Sequence, residues 1–62
     1  MKRGFKVVWD NHFEICIRSS ILVEVWMQNE LEDIGIIESY STNSFKINGG
    51  FYFRENVLII VQ

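Results

Sequence analysis

Sixty-two residues, 48% of them hydrophobic and nine aromatic, make one small domain (residues 1–62). A chain this short buries only about 60% of the surface its unfolded form exposes, so some large apolar side chains must stay outside. The net charge of −2 argues against a general affinity for nucleic acid, the single Cys16 excludes a disulfide framework, and no uncharged run exceeds seven residues, against the roughly 20 a membrane-spanning helix needs.

A cytoplasmic domain without a membrane partner is the expectation, because Lys6 and Asp10 also interrupt any apolar stretch of a signal peptide. Charge is unevenly spread: residues 1–18 carry four basic and two acidic groups, whereas residues 19–38 carry Glu24, Glu30, Glu32, Asp33 and Glu38 with no basic partner.

From the start of the chain, apolar residues fall at odd positions: Phe5, Val7, Trp9, then Phe13, Ile15, Ile17, then Ile21, Val23, Val25, Met27. A period of two places them on one face of a sheet. Asp10-Asn11-His12 reads as a three-residue turn that sets Trp9 against Phe13, Val7 against Ile15 and Phe5 against Ile17. Arg18-Ser19-Ser20 either turns the chain or bends one long strand over residues 13–27. A helix over residues 21–34, capped by Ser20 and ended by Gly35, is the rival; β-branched Ile21, Val23 and Val25 oppose it.

After the strand ending at Met27, a loop with its tip at residues 29–32 sets Met27 against Ile34, Val25 against Ile36 and Trp26 opposite Gly35, where glycine leaves room for the indole. Residues 34–40 form the next strand and 41–44 a turn. Phe45 to Asn48 is a short strand, and Asn48-Gly49-Gly50 is the strongest turn of the sequence. Phe51-Tyr52-Phe53 follows, then a tight turn at Arg54-Glu55-Asn56 and a last strand, Val57 to Val61.

The expected fold is therefore all-β: a strongly curved antiparallel sheet of six or seven strands, closed or nearly closed into a small barrel. Its core would hold Phe5, Val7, Trp9, Phe13, Ile15, Ile17, Val23, Val25, Ile34, Ile36, Phe45, Ile47, Val57, Ile59 and Val61. The order of strands and turns from Leu22 to Val61, with Gly35-Ile36-Ile37, Phe45-Lys46-Ile47 before Asn48-Gly49-Gly50 and the closing Val57-Leu58-Ile59-Ile60-Val61, resembles the small SH3-like and Sm-like β-barrel domains. The resemblance implies an interaction module, often oligomeric. Two features depart from it: Sm-like proteins open with a short helix where a hairpin is expected here, and their glycine-containing second RNA motif has no counterpart.

No residues suggest chemistry. His12 and Cys16, the only histidine and cysteine, fall short of the three or four ligands of a zinc site, and on a strand they stand too far apart for a nucleophilic pair. The acidic stretch lacks the glycine of a calcium loop and offers at most a docking surface for a basic partner. No cofactor, metal or catalytic residue is expected. Lys46, Tyr52, Phe53 and Arg54 combine basic and aromatic groups, the ingredients of single-stranded nucleic-acid binding. Trp26 is out of phase with Val25 and Met27, and Leu58 and Ile60 lie on the other side of the last strand from Ile59. These three are the candidate anchors of a protein interface. The functional expectation is a non-enzymatic, self-associating protein-interaction module, with a nucleic-acid-binding module as the alternative.

Overall fold

The computed structural model describes all 62 residues: α1 (Asp10–Arg18), β1 (Leu22–Met27), β2 (Glu30–Tyr40), β3 (Ser44–Ile47), β4 (Gly50–Phe53), a 3-10 turn (Arg54–Asn56) and β5 (Leu58–Val61). All strand pairs are antiparallel, in the order β4-β3-β2-β1-β5. Strands β4 and β5 are the two edges and do not meet. The expected barrel of six or seven strands is thus corrected to five strands in one open sheet with one helix.

The largest correction lies at the N-terminus, where helix α1 replaces the second arm of the expected hairpin. Phe13, Ile15 and Ile17 fit a period of two, but Phe13, Cys16 and Ile17 also fall at i, i+3 and i+4. That second set is the one that packs inward: Phe13 is 1% exposed and Cys16 fully buried, whereas Ile15 is 39% exposed. Asp10 in the first turn and Arg18 in the last complement the helix dipole. His12 reaches back over the N-terminus, its Nδ1 accepting the backbone N–H groups of Val8 and Trp9, each at 3.1 Å. At the other end Ser20 is left-handed (φ 49°), the Ile21 N–H donates to the Cys16 carbonyl and the Ser20 N–H to that of Ile17. Those two bonds close the helix with a Schellman motif.

Ahead of the helix the chain runs along the free edge of β5. Gly4 N–H donates to Val61 O at 2.8 Å, Val7 N–H to Ile59 O at 2.9 Å, and Val61 N–H to Phe5 O at 2.9 Å. Val7 points into the core, while Phe5 and Trp9 stay at the surface.

Residues 22–27 are strand, so the helix considered for residues 21–34 does not form; neither does a continuous strand over 13–27. Strands β1 and β2 meet through a two-residue turn, with Gln28 at φ 50° and Asn29 at φ 65°. Two positive φ angles give the type I′ geometry that matches strand twist. Met27 therefore faces Glu30 and Trp26 faces Leu31. A bulge follows, and Val25 then faces Asp33 and Val23 faces Gly35. The four-residue tip is corrected, and the phase of β2 with it. Ile37 turns inward, and Ile34 and Ile36 lie outside.

Gly35 serves a different neighbour from the one expected. A Cβ there would stand 2.8 Å from the Asn48 Oδ1, so its missing side chain admits Asn48 rather than Trp26. Asn48 donates through Nδ2 to the Asp33 carboxylate at 2.5 Å and to the Ile34 carbonyl at 3.0 Å. Tyr52 donates its hydroxyl to the same carboxylate at 3.1 Å. The inward Asp33 is thereby satisfied, and the β3–β4 hairpin is tied to β2.

Beyond Ile36, β2 leaves β1 and pairs with β3, skipping Glu38 at a bulge. The β3–β4 turn uses Asn48 (φ 51°) and Gly49 (φ 79°). Phe45 consequently faces Tyr52, and Lys46 faces Phe51.

The core comprises Val7, Phe13, Cys16, Val23, Val25, Ile37, Phe45, Ile47, Ile59 and Val61, with Ile17 and Val57 packed partly against it. Of the expected core, Phe5, Trp9, Ile15, Ile34 and Ile36 are at the surface, and Cys16 and Ile37 take their place.

Candidate interaction surface

The accessible surface is 4206 Å². A compact monomer of 7.4 kDa is expected to expose about 4,200 Å². Packing is therefore tight, yet twelve large hydrophobic residues remain exposed. They are surplus apolar residues that one small core cannot take in.

Strand pairing gathers five of them on the outer face of β5, β1 and β2. Partners directly opposite in an antiparallel pair share a face. One row runs Leu58, Trp26, Leu31, and a second runs Ile60, Glu24, Ile34. A third holds Leu22 beside Ile36. Leu22, Leu31, Ile34, Ile36 and Leu58 are each 39–49% exposed. Trp26 and Ile60 are half-buried. Glu24 is the one charge among these eight side chains. Its Oε1 accepts the indole N–H of Trp26 at 2.9 Å, which fixes the ring along the strand. A shallow cleft between the Gln28-Asn29 turn and the 3-10 turn opens beside Trp26 and Leu58.

The three residues singled out as interface candidates, Trp26, Leu58 and Ile60, thus lie together. Four further members of the face, Leu22, Leu31, Ile34 and Ile36, were not recognisable without the register of β1 against β2.

The four nucleic-acid candidates do not come together. Tyr52 stacks on Phe45 with ring centroids 5.7 Å apart, beneath the sheet. Arg54 is committed to the fold: its guanidinium donates to Asp10 Oδ1 at 2.7 Å, to Ser41 O at 2.9 Å and to Val8 O at 2.9 Å, and lies 4.4 Å over the Phe13 ring. Lys46 sits 5.8 Å over the ring of Phe51 and 3.9 Å from Glu38. Phe53 is 61% exposed on the edge strand β4.

Cys16 is buried with its Sγ 3.6 Å from the Met1 Sδ, and burial pushes its thiol up, away from the thiolate that a nucleophile or metal ligand requires. His12 is held as a helix cap. No group of three or more His, Cys, Asp or Glu side chains is placed to hold a metal ion. Of the acidic stretch, Asp33 faces inward and Glu38 accepts the Gly49 N–H at 3.1 Å, leaving Glu30 and Glu32 exposed.

Two phenols titrate abnormally. Tyr40 is raised chiefly by donating to Glu14 at 2.8 Å, and Tyr52 by desolvation and then by its bond to Asp33. A raised folded value favours the protonated form in the folded state. The stability these groups lend is complete below the ordinary tyrosine value of about 10 and is lost as pH rises through their raised values. Melting temperature should fall above about pH 10, and the Tyr40→Phe/Tyr52→Phe variant should show a flatter alkaline limb.

Comparison of the chain with protein-family models, curated proteins and solved structures gave no match. No helix of the chain is long and apolar enough to cross a membrane.

Proposed function

We propose that this chain is a non-enzymatic protein-interaction module that docks on protein and self-associates through the outer face of β5, β1 and β2, with Trp26, Leu58 and Ile60 as its centre. The observation that carries this reading is the apolar face itself, on a molecule whose total surface is that of a well-packed monomer. Contiguous exposed apolar patches on small proteins mark contacts with other chains. Tryptophan, large and rigid with one polar handle, is the side chain most often found to dominate such contacts.

Sedimentation equilibrium between about 10 μM and 1 mM should show a reversible dimer, a range chosen because interfaces below about 1,200 Å² are weak. Trp26→Ala should weaken it by at least about tenfold, the cost of a hot-spot residue, with the far-ultraviolet circular dichroism unchanged. If Trp26→Ala unfolds the chain, Trp26 belongs to the core and the reading fails. A parent chain that stays monomeric at 1 mM would refute self-association.

A further inference from the structure

We infer that the self-associated form is a two-fold dimer in which β5 faces β5 across the axis, and Glu24 of each copy pairs with Lys6 of the other. This rests on the reading of the outer face as the self-association surface and names its geometry. Lys6 bridges Ile60, flanked by the bonds from Val7 N–H to Ile59 O and from Val61 N–H to Phe5 O. That pattern is a non-hydrogen-bonded pair, in which side chains stand close together on one face. Since Val7 is buried, Lys6 points outward beside Ile60. Ile60 in turn faces Glu24. Lys6, Ile60 and Glu24 therefore form one row across the sheet, with the cation and the carboxylate one strand either side of Ile60.

Neither charge is paired within the chain, whose two ion pairs are Lys46 with Glu38 and Arg54 with Asp10. Arg3 lines a cleft with Glu24 and Ile60, adding positive charge to the same edge. An axis along β1 would centre the apolar face but would set carboxylate on carboxylate. Shifting the axis by one strand spacing, about 4.8 Å, to run along β5 over Ile60 brings each Glu24 opposite a Lys6 of the second copy, with the segment before α1, β5 and β1 in the contact and β2 left outside it. The contact is then isologous, closes at two copies and leaves neither charge unpaired. Three strands over roughly 20 Å give on the order of 300 Å² in projection per copy, well below the roughly 800 Å² per partner of standard complexes. The dimer is accordingly weak and reversible.

The test is charge exchange followed by sedimentation at low salt. Lys6→Glu alone places two carboxylates together at both contacts, and Glu24→Lys alone places two cations together. Each should dissociate at least about tenfold more readily than the parent. An equimolar mixture of the two should regain a dimer containing one of each, because both contacts are then of opposite sign. The double variant Lys6→Glu/Glu24→Lys, which keeps the net charge of −2, should dimerise as the parent does. If the parent dimer is lost on Trp26→Ala but the mixture and the double variant stay monomeric, this geometry is wrong while the apolar face stands. If Trp26→Ala leaves the parent dimer intact, the face itself is wrong.

Discussion

Arg54→Ala should lower the stability of the fold by about 3 kcal/mol, although Arg54 is a charged residue in a short connecting turn. Its guanidinium joins the segment before α1, the first turn of α1 and the β2–β3 turn to the start of β5. Removing it leaves the carbonyls of Val8 and Ser41 without this donor, at roughly 1 kcal/mol each, and ends a cation–π contact on Phe13 worth roughly 1 kcal/mol. The ion pair with Asp10 adds little, because Asp10 is 67% exposed. For a domain of this size the loss corresponds to a fall in Tm of roughly 12–24 °C. Arg54→Lys should recover little of it, since an ammonium cannot reach two carbonyls and a ring at once. Thermal denaturation of the three proteins measures this, and a change under about 5 °C for Arg54→Ala would contradict the role assigned to it.

Phe13→Ala should be harsher still, and its contrast with Ile15→Ala separates helix from hairpin. Phe13 touches the rings of Tyr40 and Phe45, with centroids at 5.4 and 5.7 Å, and carries Arg54 on its other face. Truncating a fully buried phenylalanine costs about 3–5 kcal/mol. A 62-residue domain holds only about 3–9 kcal/mol in total, so the variant should lose at least roughly a third of its stability. Ile15, on the outer side of α1, should cost less than about 1 kcal/mol. Had residues 5–17 formed a hairpin, both would lie on its buried face and both truncations would be severe. Urea titrations of the two variants decide between these outcomes.

The parts of the fold legible in the sequence are those where pattern and turn chemistry agree. Val23 and Val25 alternate around Glu24, Asn48-Gly49 supplies two residues tolerant of positive φ, and Ile59 and Val61 alternate with Leu58 and Ile60. The same alternation placed Trp26, Leu58 and Ile60 outside, because each is out of phase with a buried neighbour. What was not legible had physical causes. Over nine residues Phe13, Ile15 and Ile17 satisfy a strand as well as Phe13, Cys16 and Ile17 satisfy a helix. The distinguishing signals, His12 as a cap and Ser20 as a left-handed closure, use residues uncommon in those roles. The β1–β2 register turned on Gln28-Asn29, which contains no glycine, and on Asp33 facing inward, against the rule that charge stays outside. Asp33 is tolerated only because Asn48 and Tyr52 arrive from 15 and 19 residues away to satisfy it. The partners of Arg54 are hidden for a similar reason, lying up to 46 residues distant.

The fluorescence of Trp26, read in a Trp9→Phe variant as protein concentration rises, tests most directly whether the outer face of β5, β1 and β2 is a contact surface. Trp9 is 67% exposed at the N-cap of α1, so its replacement leaves one reporter seated on the face in question. Burial of Trp26 in the contact should give a blue shift and reduced acrylamide quenching that follow the same concentration dependence as sedimentation. An emission maximum and quenching constant that stay fixed up to about 1 mM, while the chain sediments as a dimer, would contradict it.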